Sequence, residues 1–519
     1  MDNSRSDNRF KKLIVTAPVK TLLFFMLSLF LSCQSDDEIL PEAEEGGTIT
    51  IETAGTESKQ VEGNTGTAAN AEDLVENSTF SGKVTIRFGT TVSISNPFEG
   101  KGVEVTETNG DVTVSATIAE IEYELSGTTT DGSLKIYSDK KFRLSLSGVS
   151  ITNPDGPAIN IQSGKRAFIV LAQDSDNQLT DGSSYKASGS EDMKGAFFSE
   201  GQLIFSGGGK LSVRSNYAHA IASDDYIRII DAAITVAGAV KDGLHANDAV
   251  IIDGGSLDIA STDDGIQCEE GYIVINDGTI RINSTGKAIT ASYDTDNTID
   301  PYLTINGGSI TIDSKDEGIE SKSILTINGG TISVKATDDG INAGKFIYIN
   351  GGDIYVNSTS NDGIDSNGPI TITGGKILAI GAQNPEGGID CDRSTFKITG
   401  GLVLGLGGNT SSPTASVSTQ YSVIMSGSTA GQIISLLAAD NTEALTFLVP
   451  VSRSTMLFSS PKLKAGQTYS LYTGGTVTGG DEFSGIYTSG SYEPGTKSST
   501  SFTTTGMVTS TGGSTGPGR

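Results

Sequence analysis

The sequence contains no tryptophan and is poor in positive charge, with 35 Lys and Arg against 62 Asp and Glu and a formal net charge of −27. Nucleic acid is thereby excluded as a partner, because its phosphates require Lys/Arg surfaces. Good helix formers dominate no long stretch after the N-terminus, so helical repeats are excluded as well. The N-terminal apolar run Leu22–Leu31 is too short for a comfortable bilayer span. Zinc coordination calls for His or Cys, and the acidic clusters described below contain neither. Glycine, by contrast, is abundant: 66 of 519 residues, nearly twice the usual share of about 7%.

Those glycines belong to a repeat between Lys241 and Gly401. One refrain reads Asp263-Asp264-Gly265-Ile266, Asp316-Glu317-Gly318-Ile319, Asp338-Asp339-Gly340-Ile341 and Asn361-Asp362-Gly363-Ile364, with weaker copies at 241–244 and 386–389. A second, Asn-Gly-Gly followed by alternating apolar residues, stands at 306–308, 328–330 and 350–352, with variants at 253–255, 276–278, 373–375 and 399–401. Successive refrains fall 22 to 26 residues apart, save where a copy has decayed. Self-similarity at this period identifies a solenoid. Within one period the patterning is two-residue, in short β-branched runs broken by Gly-Gly and Asp/Gly turns. An all-β, right-handed parallel β-helix with coils of about 22 residues follows, each stacked about 4.8 Å from the last. Ile305, Ile327, Ile349, Ile372 and Ile398 are expected to form one internal ladder, with glycines at positive-φ corners.

Taken in order, the chain opens with Lys11, Lys12 and Lys20 before the apolar run, which ends Phe30-Leu31-Ser32-Cys33. This resembles a bacterial lipobox, with 1–32 as signal peptide and Cys33 lipidated. Gln34-Ser35-Asp36-Asp37-Glu38 resembles the acidic export tag of Bacteroidetes-type surface lipoproteins, which implies an outer-membrane anchor facing the cell exterior. Membrane contact is then through the lipid alone. Residues 33–78 read as a polar tether. The β-helix follows over 79–410, regular over 200–405, its early strands capping an otherwise open edge. A C-terminal β cap is expected over 411–497 and a poorly ordered Ser/Thr/Gly tail over 498–519. Cys268 and Cys391 lie about five coils apart, on the order of 25 Å, so they are expected as free buried thiols. His219 and His245 belong to earlier coils, which excludes cysteine catalysis.

Chemistry is expected at the acidic corners. Asp362 and Asp365 flank the inward-pointing Ile364, and stacking places Asp338 beside Asn361. Oxygen-bearing side chains in one small volume suit Ca2+. The arrangement recurs with Asp316, Asp338, Asp339 and Asn342, and with Asp242, Asp263, Asp264 and Gln267. Asp-Gly and Asn-Gly are also simply good turn dipeptides. Stacked acids, however, repel unless neutralised.

The Asp-Asp-Gly-Ile/Asn-Gly-Gly solenoid, together with Lys464-Ala465-Gly466-Gln467-Thr468-Tyr469, resembles a bacterial calcium-bearing β-helix carbohydrate-binding family over roughly 90–490. That family is similar in fold to pectate lyases. The resemblance implies binding of cellulose or an acidic polysaccharide such as polygalacturonate, without catalysis. Aromatic residues Tyr272, Tyr293, Tyr302, Phe346, Tyr348 and Tyr355 could add sugar stacking. Two alternatives stay open. One is a calcium-dependent lyase, whose Asp-Asp-x-x-Asp pattern is approximated here with Asn361 replacing an Asp, and with Lys345, Lys376, Arg393 or Lys397 as base. The other is a calcium-braced adhesin.

Overall fold

One coil shows the rule that builds the rest. Its three strands are Ile319–Ser321, Ile324–Ile327 and Thr331–Ala336, and each pairs in parallel, in register, with its counterpart 22 residues on. The computed structural model describes residues 47–293 and 296–516. The expected signal peptide, Cys33 and the first part of the expected tether lie outside those residues. Repeating the coil gives a parallel β-helix. Its shortest strands stack into a thirteen-stranded sheet, from Ile389–Asp390 at one end to Val103–Thr108 at the other. Among the described residues helix is confined to two 3-10 turns, and none is long and apolar enough to cross a membrane.

Register explains the core. Ile305, Ile327, Ile349, Ile372 and Ile398 pair position by position, as the sequence predicts. Ile266, Ile289, Ile319, Ile341, Ile364 and Ile389 form a second ladder. Every one of these side chains is fully buried, and each contributes about 1.5–3 kcal/mol by leaving water. Cys268 and Cys391 are buried and free.

The two glycine refrains have different causes. In Asn-Gly-Gly the second glycine takes positive φ (88° at Gly308, 95° at Gly330), which a β-branched residue would resist. The glycine of Asp-Gly-Ile does not. At Gly340 an added Cβ would lie 2.0 Å from Val356 Cγ1 and 2.6 Å from the Gly363 carbonyl oxygen, so this corner needs glycine for close packing rather than for a bend. The long interval between the refrains at 276 and 306 also differs from expectation. The corner copy there has become Gly286-Lys287-Ala288-Ile289, and its coil is lengthened between the strands Ile289–Ala291 and Tyr302–Ile305.

The ends depart further from the sequence reading. Residues 47–78 are not a free tether. Ile49–Ile51 pairs antiparallel with Gly490–Tyr492, and the following segment runs along the Asn-Gly-Gly corner. There each ladder asparagine donates once to its neighbour and once to this strap. Asn328 Nδ2 bonds Asn306 Oδ1 at 2.8 Å and the Asn64 carbonyl at 3.1 Å; Asn350 Nδ2 bonds Asn328 Oδ1 at 2.8 Å and the Glu62 carbonyl at 2.7 Å. The strap ends on Asp73, fully buried between Arg166 Nε and Arg228 Nη1, each 2.9 Å away, and the Tyr226 hydroxyl at 2.6 Å. Its polar composition reads as linker because its bonds go to solenoid side chains, not to an apolar face.

At the other end, Thr455–Ser459 pairs antiparallel with Leu402–Gly407 and so stops the parallel stack. The expected tail is structured too. Gly490–Thr503 pairs with Thr468–Thr478, Phe502 is buried, and Val508–Ser510 pairs with Ser422–Ile424. Replacing Asp73 by Ala removes the buried carboxylate shared by Arg166 and Arg228, which keep Glu72 and Asp253 as partners, so urea denaturation should show a loss of about 1.5–3 kcal/mol. Protease cleavage within 47–78 should accelerate; an unchanged rate would show that the strap is not held there.

Candidate functional site

Beside the second isoleucine ladder, two polar columns run along the helix. One holds the residue two before each inward aliphatic of the ladder (Leu244 in one coil, Ile in the others): His219, Asp242, Asp264, Lys287, Glu317, Asp339 and Asp362. The other holds the residue after it: His245, Gln267, Thr290, Glu320, Asn342, Asp365 and Asp390, paired in register. Because the Ile between them points inward, both flanking side chains emerge together on the outer side. A third column, one residue earlier, carries Asp263, Asp316, Asp338 and Asn361.

Three groups of ligand atoms converge on these columns, each within 4.8 Å: His219/Asp242/His245, Asp316/Glu317/Asp338 and Asp362/Asp365/Asp390. The grouping redistributes the sequence-predicted residues. Asp362 and Asp365 do come together, but with Asp390; Asp338 and Asn361 pair with each other at 2.6 Å. Asn342 and Asn361 face the acids with their amide nitrogens, Asn342 Nδ2 donating to Asp339 Oδ2 at 2.9 Å and to Asp365 Oδ2 at 3.1 Å. They soften the negative charge as donors rather than presenting oxygen to a cation. Asp263 is exposed, and Asp264 Oδ1 accepts the Lys287 amide at 2.7 Å.

Neutralisation differs along the column. In the middle, Lys287 Nζ reaches Glu317 Oε1 at 3.1 Å and also Glu320, which Lys322 pairs from its other side. Burial opposes ionisation of Glu320, yet these lysines hold its carboxyl below the usual range. At the Asp362 end no Lys or Arg pairs with Asp362 or Asp365 among the described residues. Asp362 Oδ1 accepts the Gly387 amide, and Asp390 Oδ1 accepts the Cys391 amide at 2.8 Å and the Ser411 hydroxyl at 2.5 Å. Burial first, then neighbouring carboxylates, push Asp362 and Asp365 up to about 8. Burial likewise takes Asp339 and Asp264 up to about 7. These acids resist ionising together, and a bound cation would relieve them.

A sequence model of the carbohydrate-binding domain-containing proteins matches residues 108–360, 272–391 and 298–434, overlapping spans that cover more than half of the chain. The chain belongs to this carbohydrate-binding family. A curated carbohydrate-binding domain-containing protein of Acetivibrio thermocellus is 34% identical over 118 residues, 22% of this chain. The chain spans about two fifths, 41%, of that relative's length. A solved polysaccharide lyase-like protein from C. thermocellum, a gadolinium derivative, is 30% identical with a TM-score of 0.38, over 47% of this chain and 96% of that one.

In this member of the family the expected sugar-stacking aromatics separate. Tyr272 and Tyr302 stack in parallel at 4.8 Å, half-buried, and Tyr293 is exposed. Tyr348 lies under the strap at Gly63, and Tyr355 packs against the C-terminal core. Sequence reasoning missed Asp390, although it follows Ile389 as Asp365 follows Ile364. It also missed His219 and His245, whose ring centroids stand 4.0 Å apart; their corner positions in successive coils were the available signal. In His219, burial and the nearby His245 keep the imidazole below its ordinary value. For His245, burial is outweighed by Asp242 and Glu269, which raise it to about 9.

The pH dependence follows with a definite sign. A carboxyl whose folded value lies above its unfolded value of about 3.9 favours the folded state below that value, and the advantage is lost as pH rises through the folded value. In the presence of chelator the melting temperature should therefore fall between about pH 4 and pH 8, each affected carboxyl contributing at most about 1.4 kcal/mol per pH unit. A flat profile over that window would contradict the assigned shifts.

Proposed function

We propose that the chain captures an acidic polysaccharide, of polygalacturonate type, through Ca2+ held at its acidic corners, and that it does so without catalysis. The observation that carries this reading is the Asp362/Asp365/Asp390 convergence, on the outer face of a member of a carbohydrate-binding family. The residues fit a hard oxygen-seeking cation. Three carboxylates approach within 4.8 Å, and in the second acidic group Glu317 Oε2 is buried with no hydrogen bond. Asp362, Asp365 and Asp390 would hold one ion, Asp316, Glu317 and Asp338 another; the rigid coils set their spacing in advance. Bound there, Ca2+ supplies positive charge that bridges corner carboxylates to sugar carboxylates.

Around that bridge the chain itself orients the sugar. The two polar columns run along the coil axis, so a linear polymer laid on them meets polar side chains at every coil. The stacked Tyr272 and Tyr302 stand on the next strand of the coil, not on the column; Tyr293 is the aromatic side chain that borders it. Lys287, Lys322, Tyr293 and Glu320 line a depression of about 250 Å3 further along it. The non-catalytic form is favoured because Lys345, Lys376 and Lys397 are engaged by Asp300, Asp353 and Glu62. Arg393, exposed and three residues after Asp390, is the remaining one of the four candidate bases. Lipidation at Cys33 would tether the protein to the outer membrane facing outward, consistent with the lipobox-like Phe30-Leu31-Ser32-Cys33.

The test is retention on polygalacturonate with Ca2+ or chelator, while ultraviolet absorbance of the unsaturated product is followed. Retention should require Ca2+ and fall at least about tenfold in Asp362→Asn/Asp365→Asn, since two ligand charges are lost. Rising absorbance would make the protein a lyase. Neither retention nor absorbance would leave a calcium-braced adhesin whose ligand is not a polyuronate.

A further inference from the structure

The His219 end of the column carries a different donor set. His219 and His245 are the only histidines in the chain, yet consecutive coils bring both onto one carboxylate. Their Nδ1 atoms lie 3.0 and 2.9 Å from the same oxygen, Asp242 Oδ2. Gln267 Oε1 stands 3.0 Å from His245 Nδ1. All three of His219, Asp242 and His245 are more than nine-tenths buried, with 7%, 3% and 5% exposure. They nevertheless floor a cavity of about 700 Å3.

Hydrogen bonding alone does not settle this arrangement. His219 Nδ1 faces the Asp242 amide N–H at 3.3 Å as well as the Asp242 carboxylate. Protonated, it leaves the amide unmet; bare, it sets a lone pair against a carboxylate oxygen, which is repulsive unless a cation lies between. A second observation concerns the far side of His245. Its Nε2 lies 3.3 Å from Glu269 Oε2, the carboxylate–histidine contact that fixes a metal-binding tautomer and leaves Nδ1 as the ligand atom.

We propose that His219, Asp242 and His245 bind one divalent transition-metal ion of the Zn2+ class, with Gln267 Oε1 or water as fourth donor and Glu269 as the positioning residue. Two imidazoles and one carboxylate suit a borderline metal and not Ca2+, which takes oxygen ligands. Three protein ligands opening onto a cavity leave one coordination position for a small ligand. The polar columns therefore hold two kinds of ion: hard cations at the Asp316 and Asp362 corners, a borderline one at the His219 corner.

Titration of the intact chain with Co2+, a spectroscopic stand-in for Zn2+, tests this directly. One equivalent should produce a visible d–d band, one equivalent of Zn2+ should remove it, and a large excess of Ca2+ should not. Glu269→Gln should weaken Co2+ binding about tenfold or more, His219→Gln and His245→Gln more strongly still, and Asp362→Asn/Asp365→Asn not at all. A band absent from the wild type, or surviving in both histidine variants, would overturn the proposal. Should those variants fail to fold, acylation of the two wild-type histidines by diethylpyrocarbonate decides: Zn2+ should protect them, and equal modification with and without Zn2+ would refute the site.

Discussion

In-register parallel stacking is the constraint on which everything else depends. Once Ile319 pairs with Ile341 and Ile341 with Ile364, every other position in the coil is also repeated about 4.8 Å away. Inside, that repetition is favourable, because aliphatic side chains stack on their counterparts and leave water together. At the Asn-Gly-Gly corner it is favourable again, since each amide can donate to the next and still hold the strap. At the Asp-Gly-Ile corner it is costly, because an acidic residue repeats against itself at a separation where like charges repel.

The chain meets that cost in three ways along one column. At the Asp242 end the partners are histidines, at the centre Lys287 replaces an acid and pairs with Glu317 and Glu320, and at the Asp362 end no basic side chain joins Asp362 or Asp365 among the described residues. The last solution holds only while carboxyls stay protonated or a cation is present. A corner that internal pairing does not satisfy is chemically available to a ligand.

How much of this was legible in sequence depends on where the partners lie. The isoleucine ladder was readable because period and β-branched alternation are both local. Asp362 and Asp365 were readable for the same reason. Asp390 was lost because its coil carries Glu386-Gly387-Gly388-Ile389, too weak a copy of the refrain to extend the column. The two histidines are weighed in the sequence only as partners for the cysteines, whereas register brings His219 and His245 onto Asp242. The strap was unreadable for a different reason: Glu62 and Asn64 bond to Asn350 and Asn328 through their backbone, and backbone partners leave no trace in residue type. The glycine of Asp-Gly-Ile was assigned to a bend when the approach of Val356 to Gly340 is what requires it.

The most direct test is a crystal structure grown in Ca2+. The account predicts an ion within about 2.3–2.6 Å of carboxylate oxygens from Asp362, Asp365 and Asp390, the range for Ca2+–oxygen contacts. Water or protonated, hydrogen-bonded carboxyl pairs at that corner, in saturating Ca2+ near pH 8, would contradict it.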